Sequence, residues 1–239
     1  MQEEMMINLI FDIDDTVYDQ LKPFENAFKT VFGKADHLKI ENLYIKSRFY
    51  SDEVYHRVVR GEMPKAEMHV YRITQALSDF DYQITKKEAE TFQHTYEQNQ
   101  RKIELSPGIK EILAWAKKNE ITMGIITNGP KEHQQHKIND LQINDWIPAE
   151  HTFISGKVGI EKPDKKIFKL VEEQIGINSA ETYYIGDSFE NDVIGSKSAG
   201  WKSIWLNRRG HLRPTEAAFQ PDYCVENEQQ LFAILQEIF

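Results

Sequence analysis

The chain has 239 residues, of which 29 are Lys or Arg and 38 are Asp or Glu, for a net charge of −9. That balance favours solubility and argues against nucleic acid or an anionic membrane as the main partner, because both recruit basic surfaces. No apolar run approaches the roughly 20 residues needed to span a bilayer, and the first six residues carry acid rather than the basic stretch of a secretory leader. The single cysteine, Cys224, excludes an intramolecular disulfide framework and suits a reducing, cytoplasmic compartment. Its apolar neighbours Tyr223 and Val225 predict a buried, inert thiol.

The first element is the run Asn8-Leu9-Ile10-Phe11, read as a buried strand, which breaks off into Asp12-Ile13-Asp14-Asp15-Thr16. Carboxylates this close shift one another's proton affinity, so the cluster reads as a divalent metal site or an acid/base pair. Residues 18–101 carry amphipathic helical patterns punctuated by Pro23, Gly33, Gly61 and Pro64, with no convincing strand. Phe24 and Phe28 at i, i+4 predict a helical core there, and Thr85 with Glu88 has the form of a capping box. Tyr44, Arg48, Asp52 and Tyr55 share a helical face that is read as packed or solvated.

From about residue 105 strand and helix alternate. Ser106-Pro107 predicts a capped helix start. Ile121 to Asn128, Thr182 to Asp187 and Ser203 to Asn207 read as short strands, and Lys131 to Leu141, Pro163 to Ile175 and Asn191 to Ala199 as helices. Such alternation predicts right-handed crossovers and a mostly parallel sheet, with ligands at the carboxyl ends of the strands. His133 and His136 are read as surface residues, and Arg208, Arg209 and His211 as a solvated loop.

The strand ends then bring together Asp12 and Asp14, Thr127-Asn128, Lys162-Pro163 after a Gly-containing loop, and Gly186-Asp187 followed by Asp192. Hard cations such as Mg2+ take oxygen ligands, which Asp12 and Asp187 would supply. Thr127 and Lys162 add a hydroxyl donor and a fixed cation, a set suited to a transferring phosphoryl group.

These motifs, in this order, resemble the haloacid dehalogenase-like (HAD) superfamily, in its branch with a helical cap inserted after the first motif. The resemblance implies a Rossmann-like α/β core of residues 1–17 and 102–239, with helices on both faces of a parallel sheet, and a helical cap of residues 18–101. It implies a Mg2+-dependent phosphatase acting on a small phosphorylated metabolite, a 5′-nucleotide or sugar phosphate. Asp12 is then the nucleophile that becomes an aspartyl phosphate, and Asp14 the acid and base, with a pKa near working pH. Thr127, Asn128 (through its backbone N–H) and Lys162 match phosphate-binding positions. Asp12, the Asp14 carbonyl, Asp187 and Asp192 match the metal shell, with the alternative that Asp192 orients Lys162 or a metal-bound water. Asp14 separates the chain from dehalogenases, which lack that carboxylate. A phosphomutase of the same superfamily is the alternative enzyme, and a non-catalytic phosphoacceptor module a further one.

Overall fold

A computed structural model describes residues 7–33 and 38–239; the acidic N-terminal stretch read above lies outside them. The elements run β1 (Asn8–Phe11), α1 (Leu21–Phe32), α2 (Ile40–Val59), α3 (Lys65–Ser78), α4 (Lys86–Gln100), α5 (Pro107–Lys118), β2 (Thr122–Thr127), α6 (Lys131–Asp140), β3 (Thr152–Ile154), α7 (Ser155–Val158), α8 (Lys165–Ile175), β4 (Thr182–Gly186), α9 (Gly195–Ser198), β5 (Lys202–Leu206), β6 (Tyr223–Val225) and α10 (Glu228–Ile238). They form two compact units, one of Gln20–Ile103 and the other of Glu104–Phe239 with the described residues up to Asp19.

Among the described residues, six strands make one all-parallel sheet in the order β3-β2-β1-β4-β5-β6. Asn8 stands opposite Thr122 on one side and Thr182 on the other, so β1 is central and the strand order reverses beside it. That is the Rossmann order, and its switch point is where open α/β sheets bind ligands. All four residues of β1 are buried; since successive side chains point to opposite faces, both faces of the sheet are covered. On one face Ile10 and Tyr184 pack with Ile167, Phe168 and Trp201, the Phe168 ring standing edge-on to Tyr184 and Trp201 at 5.4 and 5.3 Å. Gly124 allows the approach, because a Cβ there would lie 2.8 Å from Ile10 Cδ1.

Three expectations are corrected. Cys224 is exposed: among the described residues β6 is an edge strand paired only with β5, and alternation sends Val225 inward while Cys224 faces outward. Ser106 makes no side-chain cap on α5; its hydroxyl and its N–H both donate to the Val17 carbonyl, at 3.4 and 3.0 Å. The helix read from Pro163 begins at Lys165, where the Asp164 carboxylate accepts from the Lys166 N–H at 3.0 Å.

Among its described residues the regular elements of the second unit are all helices, α1 to α4. Its core gathers Phe24, Phe28, Leu43, Tyr44, Ile73, Leu77, Phe92 and Tyr96. Phe24 is the centre, with its ring edge-on to Tyr44, Phe92 and Tyr96 at 5.4, 5.0 and 5.5 Å. The Thr85–Glu88 capping box opens α4 in both directions. Along α2, Tyr44 is buried while Arg48, Asp52 and Tyr55 are exposed.

Candidate active site

Thr127 ends β2, and the acidic side chains singled out at strand ends sit on short segments that leave the sheet after β1 and β4. The Asp12 N–H still donates to the Ile185 carbonyl at 2.9 Å, extending the pairing of β1 with β4 and presenting Asp12 beside Asp187. The Asp187 carbonyl accepts from Trp205 Nε1 at 2.7 Å. Asp192 lies in a π-helical turn, Phe189–Ile194, and the Ser188 N–H donates to its Oδ2 at 2.9 Å. Only glycine fits at 186, since a Cβ there would sit 2.3 Å from that oxygen.

Lys162 ties these groups together. Its ammonium donates to Asp12 Oδ1 at 2.7 Å, Asp192 Oδ1 at 2.7 Å and the Tyr184 hydroxyl at 2.8 Å, using all three of its N–H groups. Tyr184 in turn donates to the Ile126 carbonyl at 2.9 Å. The Asn128 side chain holds the Lys162 backbone from both ends, accepting from its N–H at 2.9 Å and donating to its carbonyl at 2.8 Å. Lys162 therefore anchors the carboxylates, with each of its N–H groups already donated.

Oxygens of Asp12, Asp187 and Asp192 lie within 4.8 Å of one another. Three carboxylates here face one ammonium. Burial, opposed by Lys162 and reinforced by Asp192 and Asp14, pushes the Asp12 carboxyl up to about 7. Burial and the neighbouring Asp192 and Asp12 also push Asp187 well above the usual carboxylate range. Excess negative charge on an all-oxygen donor set is what a hard divalent cation offsets, so the residues fit Mg2+. The Thr127 hydroxyl is buried without a hydrogen-bond partner among the described residues, leaving a donor at the end of β2.

Asp14 stands apart from that cluster. Lys137 Nζ reaches its two oxygens at 2.6 and 2.7 Å, Gln134 Nε2 donates to Oδ2 at 3.0 Å, and the Tyr18 hydroxyl donates to Oδ1 at 2.7 Å. Burial alone would raise this carboxyl, but Lys137, Gln134 and Tyr18 hold it at about 2. It is an anion here, against the expectation of a pKa near working pH. Arg208 and Arg209 are not a solvated loop either, their side chains being 15% and 9% exposed. Arg209 pairs with Asp15 at 2.6 Å and with Asp19, while Arg208 donates to the Asp15 and Thr16 carbonyls at 3.1 and 2.8 Å. Asp15 has a positive φ of 55°, and this pair of arginines holds it there. His133 and His136 are exposed, as expected.

The chain belongs to the haloacid dehalogenase-like hydrolase family, whose model matches residues 8–200. It is 26% identical to the glyceraldehyde 3-phosphate phosphatase of Pyrococcus furiosus over 95% of this chain and 92% of that one. It is 32% identical to the pyrimidine 5′-nucleotidase YjjG of Escherichia coli over 54% of this chain and 56% of that one. Among solved structures, the HAD-hydrolase YfnB from Bacillus subtilis, bound to magnesium, shares the fold with a TM-score of 0.65, at 22% identity over 96% of this chain and 98% of that one. Within the family the protein is a phosphohydrolase.

Proposed function

We propose that the protein uses Mg2+ to hydrolyse a small phosphomonoester, a sugar phosphate or 5′-nucleotide, through an aspartyl phosphate on Asp12. The observation that carries this reading is the separation of the two carboxylates of Asp-x-Asp: Asp12 sits in the acidic cluster with Lys162, and Asp14 among donors of its own. Asp12, Asp187 and Asp192, with the Asp14 carbonyl, would hold the cation, which supplies charge stabilisation for the phosphoryl oxygens. The magnesium in the YfnB structure supports that choice. The names of the Pyrococcus and Escherichia relatives support the two substrate classes.

Asp12 attacks phosphorus and the leaving oxygen takes a proton from Asp14. Water then hydrolyses the acyl phosphate and returns a proton to Asp14, ready for the next cycle. Ionised Asp14, as held here, is the form that receives that proton, and for the attack by Asp12 it takes up the proton carried by the monoanionic phosphomonoester and passes it to the leaving oxygen. Thr127 and the Asn128 backbone orient the phosphate. Phosphate release from a panel of monoesters with Mg2+ tests the activity, and acid quenching with labelled substrate tests the intermediate. Wild type should trap label on the protein and Asp12→Asn should neither trap it nor turn over. Turnover by Asp12→Asn would remove Asp12 as nucleophile.

A further inference from the structure

Helix α6 is polar along most of its length, with Lys131, Glu132, His133, Gln135 and His136 exposed. Gln134 and Lys137 break that pattern, being 2% and 8% exposed. Residues three apart share a helix face, and both of these side chains end on Asp14. A buried lysine costs desolvation that a solvated one avoids, so its direction calls for a reason. Lys137 spans both Asp14 oxygens at 2.6 and 2.7 Å. One Gln134 amide nitrogen donates at once to Asp14 Oδ2 at 3.0 Å and to the Asn128 carbonyl at 2.8 Å. The backbone makes room for it: Gly129 has a φ of 142°, and a Cβ there would lie 2.8 Å from Gln134 Nε2.

We infer that Gln134 and Lys137 are positioning residues that act through Asp14, fixing its carboxylate relative to the Thr127-Asn128 loop. The inference rests on the reading of Asp14 as the proton-handling group. Lys137 sets where the carboxylate sits, and Gln134 ties that position to the strand end that meets the phosphate. Neither residue needs to touch substrate.

The test is a double-mutant cycle on the full chain with Mg2+ and p-nitrophenyl phosphate. Lys137→Met should lower kcat about 100-fold, the scale of a small misplacement of a reacting group, while KM stays within about twofold because substrate binding is untouched. In an Asp14→Asn background the same substitution should lower kcat no further. Gln134→Leu provides a second cycle with the same expected pattern, and it stands alone should Lys137→Met not fold. Equal losses with and without Asp14, or a loss confined to KM, would overturn the inference while leaving the phosphatase reading intact. Absence of phosphate release by wild type from this ester and from the metabolite panel would overturn both.

Discussion

Replacing Asp12 with Asn should stabilise the metal-free protein, by a margin that grows from pH 5 to pH 8. Burial, opposed by Lys162, moves the Asp12 carboxyl from 3.8 to about 7. A carboxyl that holds its proton more tightly folded than unfolded leaves stability highest below about pH 4. The Asp12 contribution then falls as pH climbs towards 7 and falls no further above it. The rise from 3.8 to about 7, at about 1.36 kcal/mol per unit, amounts to about 4 kcal/mol. At about 2–4 °C per kcal/mol for a chain of this size, the shift in Tm is on the order of 10 °C. Asn cannot ionise, and Lys162 keeps Asp192 and Tyr184 as partners, so the variant lacks Asp12's share of the slope and keeps the share that buried Asp187 contributes. Asp14 contributes in a different window: its carboxyl is held at about 2, so its stabilisation is lost only as pH falls from about 4 towards 2. Calorimetry in EDTA between pH 5 and 8 measures the difference, and added Mg2+ should remove most of the wild-type slope, since metal binding displaces the proton. Parallel Tm profiles for wild type and Asp12→Asn in EDTA, or a less stable variant at pH 8, would refute the account of this cluster.

Lys162→Met leaves two buried carboxylates without their shared cation and should cost about 3–5 kcal/mol in denaturant unfolding under EDTA; a loss below about 1 kcal/mol would show that the pair is solvated. Asn128→Ala removes both side-chain bonds to the Lys162 backbone, an expected loss of about 1–3 kcal/mol, with a raised KM for phosphomonoesters; an unchanged KM would detach this contact from the site. Gly129→Ala places a methyl against Gln134 at a positive φ and should cost about 1–3 kcal/mol of stability together with kcat. Trp205→Phe removes the bond to the Asp187 carbonyl and should lower stability by about 1 kcal/mol while weakening Mg2+ affinity in a metal titration.

The four longer strands were legible in the chain because each is a short apolar run bounded by polar residues, and a parallel sheet covered on both faces needs such runs. β3 and β6 have three residues each, too few for any pattern, and β6 misled the reading of Cys224 because its neighbours were apolar while its position was at an edge. Asp12, Asp187, Thr127 and Lys162 could be placed at the sheet's carboxyl edge because topology alone brings strand ends together. Tyr184 lies inside β4, and nothing in its local pattern marks the hydroxyl that meets Lys162. Arg209 was read as part of a solvated loop, and Lys137 was not singled out, because most Arg and Lys side chains lie at the surface. Their carboxylate partners, Asp15 and Asp14, stand 194 and 123 positions away in the chain, a pairing that only the folded topology supplies. Gln134 and Lys137 did carry one faint signal, their shared face on the helix that follows Asn128.

The π-helical turn at Phe189–Ile194 bears on how this segment can vary among descendants of the chain. Glu190 is exposed, and its identity is free to drift. Its presence is not: removing one residue would shift the register of everything after it along the turn. Asp192 would then leave both the Ser188 N–H and the Lys162 ammonium that it now meets. The contacts of Asp192 therefore depend on the number of residues between Gly186 and Asp192, and a deletion there is expected to be more damaging than a substitution at Glu190.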